Sequence, residues 1–243
     1  MVISIVGQGN GKMKLIDLSM ELIELFDRIG GREKILVVIL TGFGGPSSLL
    51  EREAPGNFSG WRNDTSKTLP PLAESMAKLD CPIIAAINGD AVGQALELAL
   101  ACDLRIAQED SQFALPQIQA DLIPWDGGTQ RLPRLVGRGK AMEMILTGEI
   151  IDAQEARRIG LVNKIVPANE LMTVAMELAR EMASRGPVAL RYAKEAVNRG
   201  MDMTLDQGLR MEGDLYFLLH TTGDRTEGIQ AFRQKRNPRF QGR

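Results

Sequence analysis

The stretch Ile83-Ile84-Ala85-Ala86-Ile87-Asn88-Gly89-Asp90-Ala91-Val92-Gly93-Gln94-Ala95-Leu96-Glu97 decides how the chain is read. Five apolar residues in succession fit a strand covered on both faces, as in α/β proteins. Gly89 to Gly93 reads as a turn. Ala95 to Cys102 is apolar except for Glu97 and reads as a buried helix. The first turn of a helix presents backbone N–H groups that have no partner within the helix. With the helix dipole, those groups stabilise an anion. Two readings stay open for this segment: an ordinary strand-to-helix connection, or a turn that holds an oxyanion. A donor aimed at a developing oxyanion typically contributes about 3–4 kcal/mol to the transition state.

Glu97 sharpens the choice. A carboxylate inside an apolar helix is costly to bury unless it is paired or protonated. Pairing with an arginine would make it structural. Desolvation without such a partner would raise its pKa into the range useful for proton transfer.

On either side of this stretch, short apolar runs alternate with helical patterns. Met1 to Val6, Ile35 to Leu40 and Leu104 to Ala107 read as strands. Helical spacing runs over Asp17 to Ile29, where Leu18, Leu22, Leu25, Phe26 and Ile29 share a face, and over Leu69 to Leu79. Later patterns predict helices at Arg138 to Leu146, Ala153 to Ile159, Glu170 to Arg185, Pro187 to Arg199, Thr204 to Leu219 and Thr226 to Lys235. Two zones, Gly42 to Lys67 and Phe113 to Gly128, read as irregular, and long loops in compact domains are often functional. The order of elements implies an α/β core followed by a helical C-terminal region.

Composition narrows the function. Of the 243 residues, 44% are hydrophobic, enough for one large core. Lys plus Arg is 29 against 31 for Asp plus Glu, so the basic excess of a nucleic-acid protein is missing. The stretch Arg225 to Arg243 is basic, either a solvated tail or a local phosphate-binding surface. Two cysteines and one histidine do not make a zinc-type cluster. Cys81 and Cys102 lie in apolar runs and read as buried free thiols. His220 reads as a helix-face or core residue. No run has the length of a membrane span, and no leader pattern opens the chain, so a soluble, cytoplasmic protein is expected.

A second segment carries chemistry: Leu115-Pro116-Gln117-Ile118-Gln119-Ala120-Asp121-Leu122-Ile123-Pro124-Trp125-Asp126-Gly127-Gly128-Thr129. The paired glycines allow a tight turn or a close backbone approach. Asp126 before them is either a helix N-cap or a functional carboxylate.

Ile83 to Asp103 resembles the strand, oxyanion-hole turn and helix of the crotonase (enoyl-CoA hydratase/isomerase) superfamily. So does Phe113 to Leu135, with Gly127-Gly128-Thr129-Gln130-Arg131-Leu132. Leu146-Thr147-Gly148-Glu149, Ala153-Gln154-Glu155-Ala156, Gly160-Leu161-Val162 and Thr226-Glu227-Gly228-Ile229-Gln230-Ala231-Phe232 are similar to later family segments, in the expected order. The resemblance implies an α/β fold with a spiral core of ββα-like units over 1–185, and a helical trimerisation region over 186–243. It further implies an acyl-CoA thioester substrate, no cofactor beyond the coenzyme A of that substrate, no metal, and a homotrimer or dimer of trimers.

It also assigns roles. The backbone N–H groups of Leu50 and Gln94 would hold the thioester oxygen. Lys12, Met13, Lys14 and Leu15 would meet coenzyme A, and Trp61 and Trp125 would shape the acyl pocket. Glu97 matches the first of the two glutamates typical of the family's hydratases. The second position is Gln117, and an amide does not exchange protons as a carboxylate does. Asp126 lies where other crotonases place a catalytic aspartate. The expected site is therefore Glu97 and Asp126 as acid/base groups, with Gln117 as a neutral hydrogen-bonding partner. The expected reaction is hydration or isomerisation of an enoyl-CoA. Hydrolytic C–C cleavage of a β-diketone or β-oxoacyl-CoA, and a non-catalytic acyl-CoA-binding scaffold, are the alternatives.

Overall fold

In a computed structural model, residues 1–4, 15–30, 35–43 and 72–243 are described, with side chains of the first helix described over 21–29. Five parallel strands form the main sheet, in the order β1 (Val2–Ser4), β2 (Val38–Thr41), β3 (Ile83–Ile87), β5 (Leu104–Gln108) and β8 (Lys164–Val166). Alternation along β2 and β3 divides the core in two. Val38, Leu40, Ile83, Ala85 and Ile87 face one cluster, which includes Leu22, Phe26, Leu96 and Phe113. Ile39, Ile84 and Ala86 face the other, against Leu171, Ala175 and Ala179. Period-two side chains with both faces apolar are what a sheet covered on both sides requires. The fully apolar run at Ile83 therefore reads correctly as a central strand.

A second, smaller sheet pairs β4 (Ala91–Val92) with β6 (Gln112–Ala114) in parallel, and β6 with β7 (Ile151–Asp152) antiparallel. The helices are α1 (Leu15–Gly30), α2 (Leu72–Ala77), α3 (Gln94–Leu100), α4 (Gly128–Val136), α5 (Arg138–Thr147), α6 (Ala153–Arg158) and α7 (Leu171–Ala183). The C-terminal region adds α8 (Pro187–Gly200), α9 (Leu205–Leu219) and α10 (Gly223–Arg233). Thr204 caps α9 with a capping box closed by Gln207, and Thr222 caps α10. On the near side of this region, Lys194 of α8 reaches the core. Its ammonium lies 2.9 Å from both the Asp103 carboxylate and the Cys81 carbonyl.

The structure corrects several boundaries. The strand expected from Ile35 starts only at Val38. The turn expected from Gly89 contains β4, and the irregular zone from Phe113 contains β6 and a 3-10 turn, Pro116–Ala120. Helix α4 was expected only through the N-cap reading of Asp126, without bounds, and β7 and β8 were not expected. Both cysteines are buried free thiols, as expected. His220 is exposed at the end of α9, where its Nδ1 lies 2.9 Å from the Tyr216 carbonyl oxygen, so it serves the helix end and not a core. Among the described residues, no helix is long and apolar enough to cross a membrane.

Candidate active site

The site lies where β4, α3, the 3-10 turn and the start of α4 meet. Its geometry begins with Gly93, the residue before α3, at φ 63° and ψ −125°. Side chains other than hydrogen rarely adopt that backbone, so glycine lets the chain turn sharply from β4 into α3. Gln94 and Glu97 then lie three residues apart, on neighbouring positions of one helical face.

Glu97 is fully buried. One oxygen, Oε1, accepts N–H hydrogen bonds from Asp126 at 2.8 Å and Gly128 at 2.9 Å. The other, Oε2, accepts from the Gln117 amide at 3.3 Å. The arginine pairing that would have made Glu97 structural is not what holds it, since its hydrogen-bond donors are two backbone N–H groups and an amide. Burial pushes its pKa up to about 7, against the opposing pull of the two N–H donors. A carboxyl that titrates near neutrality is suited to both taking up and giving back a proton.

Gly128 opens α4, and its N–H is one of the helix's orphan donors. Glu97 accepts it across 31 residues of sequence. No side chain fits at this point. A Cβ on Gly128 would lie 2.8 Å from Pro124 Cβ and 3.0 Å from Glu97 Oε1. Gly127 before it, at φ 104°, is left-handed, and a Cβ there would run into the Arg131 guanidinium. Arg131 in turn donates to the Asp126 carbonyl at 2.9 Å. The two glycines are thus used in different ways, one for conformation and one for close approach.

Asp126 is buried as well. Its carboxylate accepts N–H bonds from Ala73 at 2.8 Å and Glu74 at 3.4 Å, at the start of α2. It therefore caps a helix, but one 53 residues earlier in the chain and not the α4 it precedes. Burial raises its pKa, and the two α2 donors oppose the rise. Gln117 and Gln94 are buried too.

The structure thus brings Gln94, Glu97, Gln117 and Asp126 together. Trp125, expected at the acyl pocket, is 38% exposed and so is no core residue. Leu15 opens α1, with its side chain outside the described residues. Lys12, Met13, Lys14, Leu50 and Trp61 lie outside the described residues altogether.

Four contributors escaped the sequence reading. Gly128 was read for a tight turn or a close backbone approach and not for its N–H. Ala73 and Glu74, the partners of Asp126, carry no local signal. Asn88, at the end of β3, accepts the Gly42 N–H at 2.9 Å and so ties β3 to the start of the segment after β2. Its position directly after an apolar run was the available cue.

The chain is similar to known proteins over most of its length. The family model for enoyl-CoA hydratase/isomerase matches residues 15–243. The 2,3-dehydroadipyl-CoA hydratase of Escherichia coli is 40% identical, over 93% of this chain and 89% of that protein. The crystal structure of an enoyl-CoA hydratase from Bacillus anthracis superposes with a TM-score of 0.83 at 43% identity, covering 93% of this chain and 89% of that one. DspI of Pseudomonas aeruginosa superposes with a TM-score of 0.85 at 34% identity, over 99% of this chain and 92% of that one. The crotonase-like α/β fold and the sequence motifs converge: the chain belongs to the enoyl-CoA hydratase/isomerase family.

Proposed function

We propose that the chain hydrates a 2-enoyl thioester of coenzyme A, with Glu97 as its principal acid/base group. The observation that carries this reading is the Glu97 carboxyl. It is fully buried, fixed by the Asp126 and Gly128 N–H groups, poised near neutral pH, and three residues from the oxyanion turn. Similar proteins named as hydratases support it, among them the Escherichia coli 2,3-dehydroadipyl-CoA hydratase and the mouse mitochondrial methylglutaconyl-CoA hydratase.

In this proposal the thioester oxygen is held by the Gln94 N–H and, from outside the described residues, the Leu50 N–H. Charge that develops on that oxygen as water adds is then stabilised by fixed donors. Ionised Glu97 takes a proton from water as its oxygen bonds to the β carbon. The α carbon takes up a proton, which Glu97 returns, so the addition balances with one carboxyl group. Gln117 holds Oε2 of Glu97 and keeps it oriented. Asp126 is the second acid/base group, secondary because both its oxygens already accept α2 N–H bonds. The step as written needs no cofactor beyond the substrate's own coenzyme A. Lys12, Met13, Lys14 and Leu15 are proposed to contact that coenzyme, and Trp61 and Trp125 the acyl group.

We also propose that residues 186–243 form the assembly region of a homotrimer or dimer of trimers. Support comes from the large apolar side chains that the region leaves exposed, such as Leu205, Phe217 and Phe232.

The test is mass spectrometry of products after incubation with 2-enoyl-, dienoyl- and β-oxoacyl-CoAs. Gain of one water with the thioester intact is the expected result. Gain of water with an opened carbon ring would replace hydration by C–C hydrolysis. No change in any substrate would overturn the catalytic reading.

A further inference from the structure

The site holds more hydrogen-bonding capacity than its protein partners use. Among the described residues, neither Nε2 nor Oε1 of Gln94 has a hydrogen-bond partner, and neither does Oε1 of Gln117. Both side chains are more than nine-tenths buried, Gln94 at 6% exposed and Gln117 at 1%. Buried polar groups are paired in the great majority of cases, and an exception calls for an explanation.

Both amides lie beside Glu97 and Asp126, the groups of the proposed reacting centre. The Gln117 amide is fixed by Glu97, with its Nε2 4.0 Å from where a Cβ on Gly93 would lie. The Gln94 amide interacts with the Asp126 carboxyl and eases its ionisation, without reaching the distance and angle of a full hydrogen bond. Both amides thus border the turn that holds the thioester in the proposed function.

The leftover chemistry is two acceptors, Oε1 of Gln94 and Oε1 of Gln117, and one donor group, Nε2 of Gln94. Flipping the Gln94 amide exchanges its two ends and leaves the same set. A hydroxyl both donates and accepts, so it can meet the Gln94 donor group and one of the two acceptors at once. A ketone only accepts and would leave both carbonyls unpaired. A carboxylate only accepts and would also face Glu97 and Asp126. A methyl group satisfies none of the three atoms.

We propose that the Gln94 and Gln117 side chains select an acyl-CoA whose chain carries a hydroxyl group close to the double bond, over one with a plain alkyl chain. This inference rests on the hydratase reading. A site built to hydrogen-bond a substrate hydroxyl discriminates strongly against the analogue that lacks it, because its own polar groups are then left unpaired.

The test compares two thioesters of nearly equal shape, trans-4-hydroxybut-2-enoyl-CoA and trans-pent-2-enoyl-CoA. Their kcat/KM ratio is measured for the wild type, Gln94→Met and Gln117→Met. The wild type is expected to favour the hydroxylated substrate by about tenfold or more, and each methionine variant to bring the ratio toward one. Equal use of both substrates by the wild type would overturn the inference while leaving hydration intact. So would a preference that survives in both variants. If the variants fail to fold, the wild-type ratio decides alone. Turnover of neither substrate would overturn the hydratase reading itself, and the inference with it.

Discussion

The Gly128 N–H lies 2.9 Å from Glu97 Oε1, and a Cβ at Gly128 would sit 3.0 Å from that same oxygen. The glycine thus anchors the carboxylate and leaves it just enough space. Gly128→Ala is expected to push Glu97 out of position. Overpacking of this kind costs roughly 1–3 kcal/mol of stability, and a misplaced reacting group loses about 10²-fold in rate. Thermal unfolding and kcat, measured on one preparation, check both.

Glu97 also gives the activity a pH signature. As a base it must be ionised, so kcat/KM is expected to rise with pH and level off above a midpoint of about 7. A pH–rate profile between pH 5 and 9 tests this. A flat profile across that range would remove Glu97 from the chemistry.

The same group links stability to pH. Burial moves its pKa from the ordinary carboxylate value of 4.5 to about 7 in the fold. Between those values the folded chain binds more protons than the unfolded one, so stability falls as pH rises through that window. Asp126, also raised by burial, adds to the fall in the same direction. At pH 8 the ionised, buried Glu97 is destabilising by up to about 3 kcal/mol. Glu97→Gln is therefore expected to raise Tm at pH 8 and to change it little at pH 4.5.

Asp126 caps α2, and the acid/base duty proposed for it is separable from that cap. Asp126→Ala removes the cap of α2 and is expected to cost about 1 kcal/mol of stability. Asp126→Asn keeps an oxygen for the Ala73 N–H while removing the titratable charge. A fall in kcat in Asp126→Asn with little loss of stability would show proton transfer. Stability loss in Asp126→Ala with kcat intact in Asp126→Asn would leave Asp126 a purely positioning residue.

Gln117→Glu would set a second carboxyl against Glu97 Oε2, where the amide now donates at 3.3 Å. Two carboxylates so close do not both ionise readily. The ascending limb of the pH–rate profile is expected to move above about 7 and to report the pair and not either residue alone.

Much of this was readable from residue order. The run from Ile83 predicted a doubly covered strand because apolar residues without interruption leave no solvent face. Glu97 stood out because it was the only charge in an apolar helix. The two- and three-residue strands β4, β6 and β7 were invisible, since pairs such as Phe113 with Ile151 are set by tertiary contacts. The bounds of helix α4 were missed because it begins at a glycine, carries Pro133 inside and finds its N-terminal acceptor in distant Glu97. Asp126 had the look of a cap and is one, but which helix it caps depends on a contact across 53 residues.

The central claim is that the Glu97 carboxyl moves the proton. It is tested most directly by following the loss of enoyl thioester absorbance at saturating 2-enoyl-CoA, wild type against Glu97→Gln, at pH 8. The glutamine keeps an oxygen for the Asp126 and Gly128 N–H groups, so substrate binding is expected to survive. The account predicts a kcat lower by about 10²–10⁴-fold with KM within a few-fold of the wild type. An unchanged kcat would contradict it.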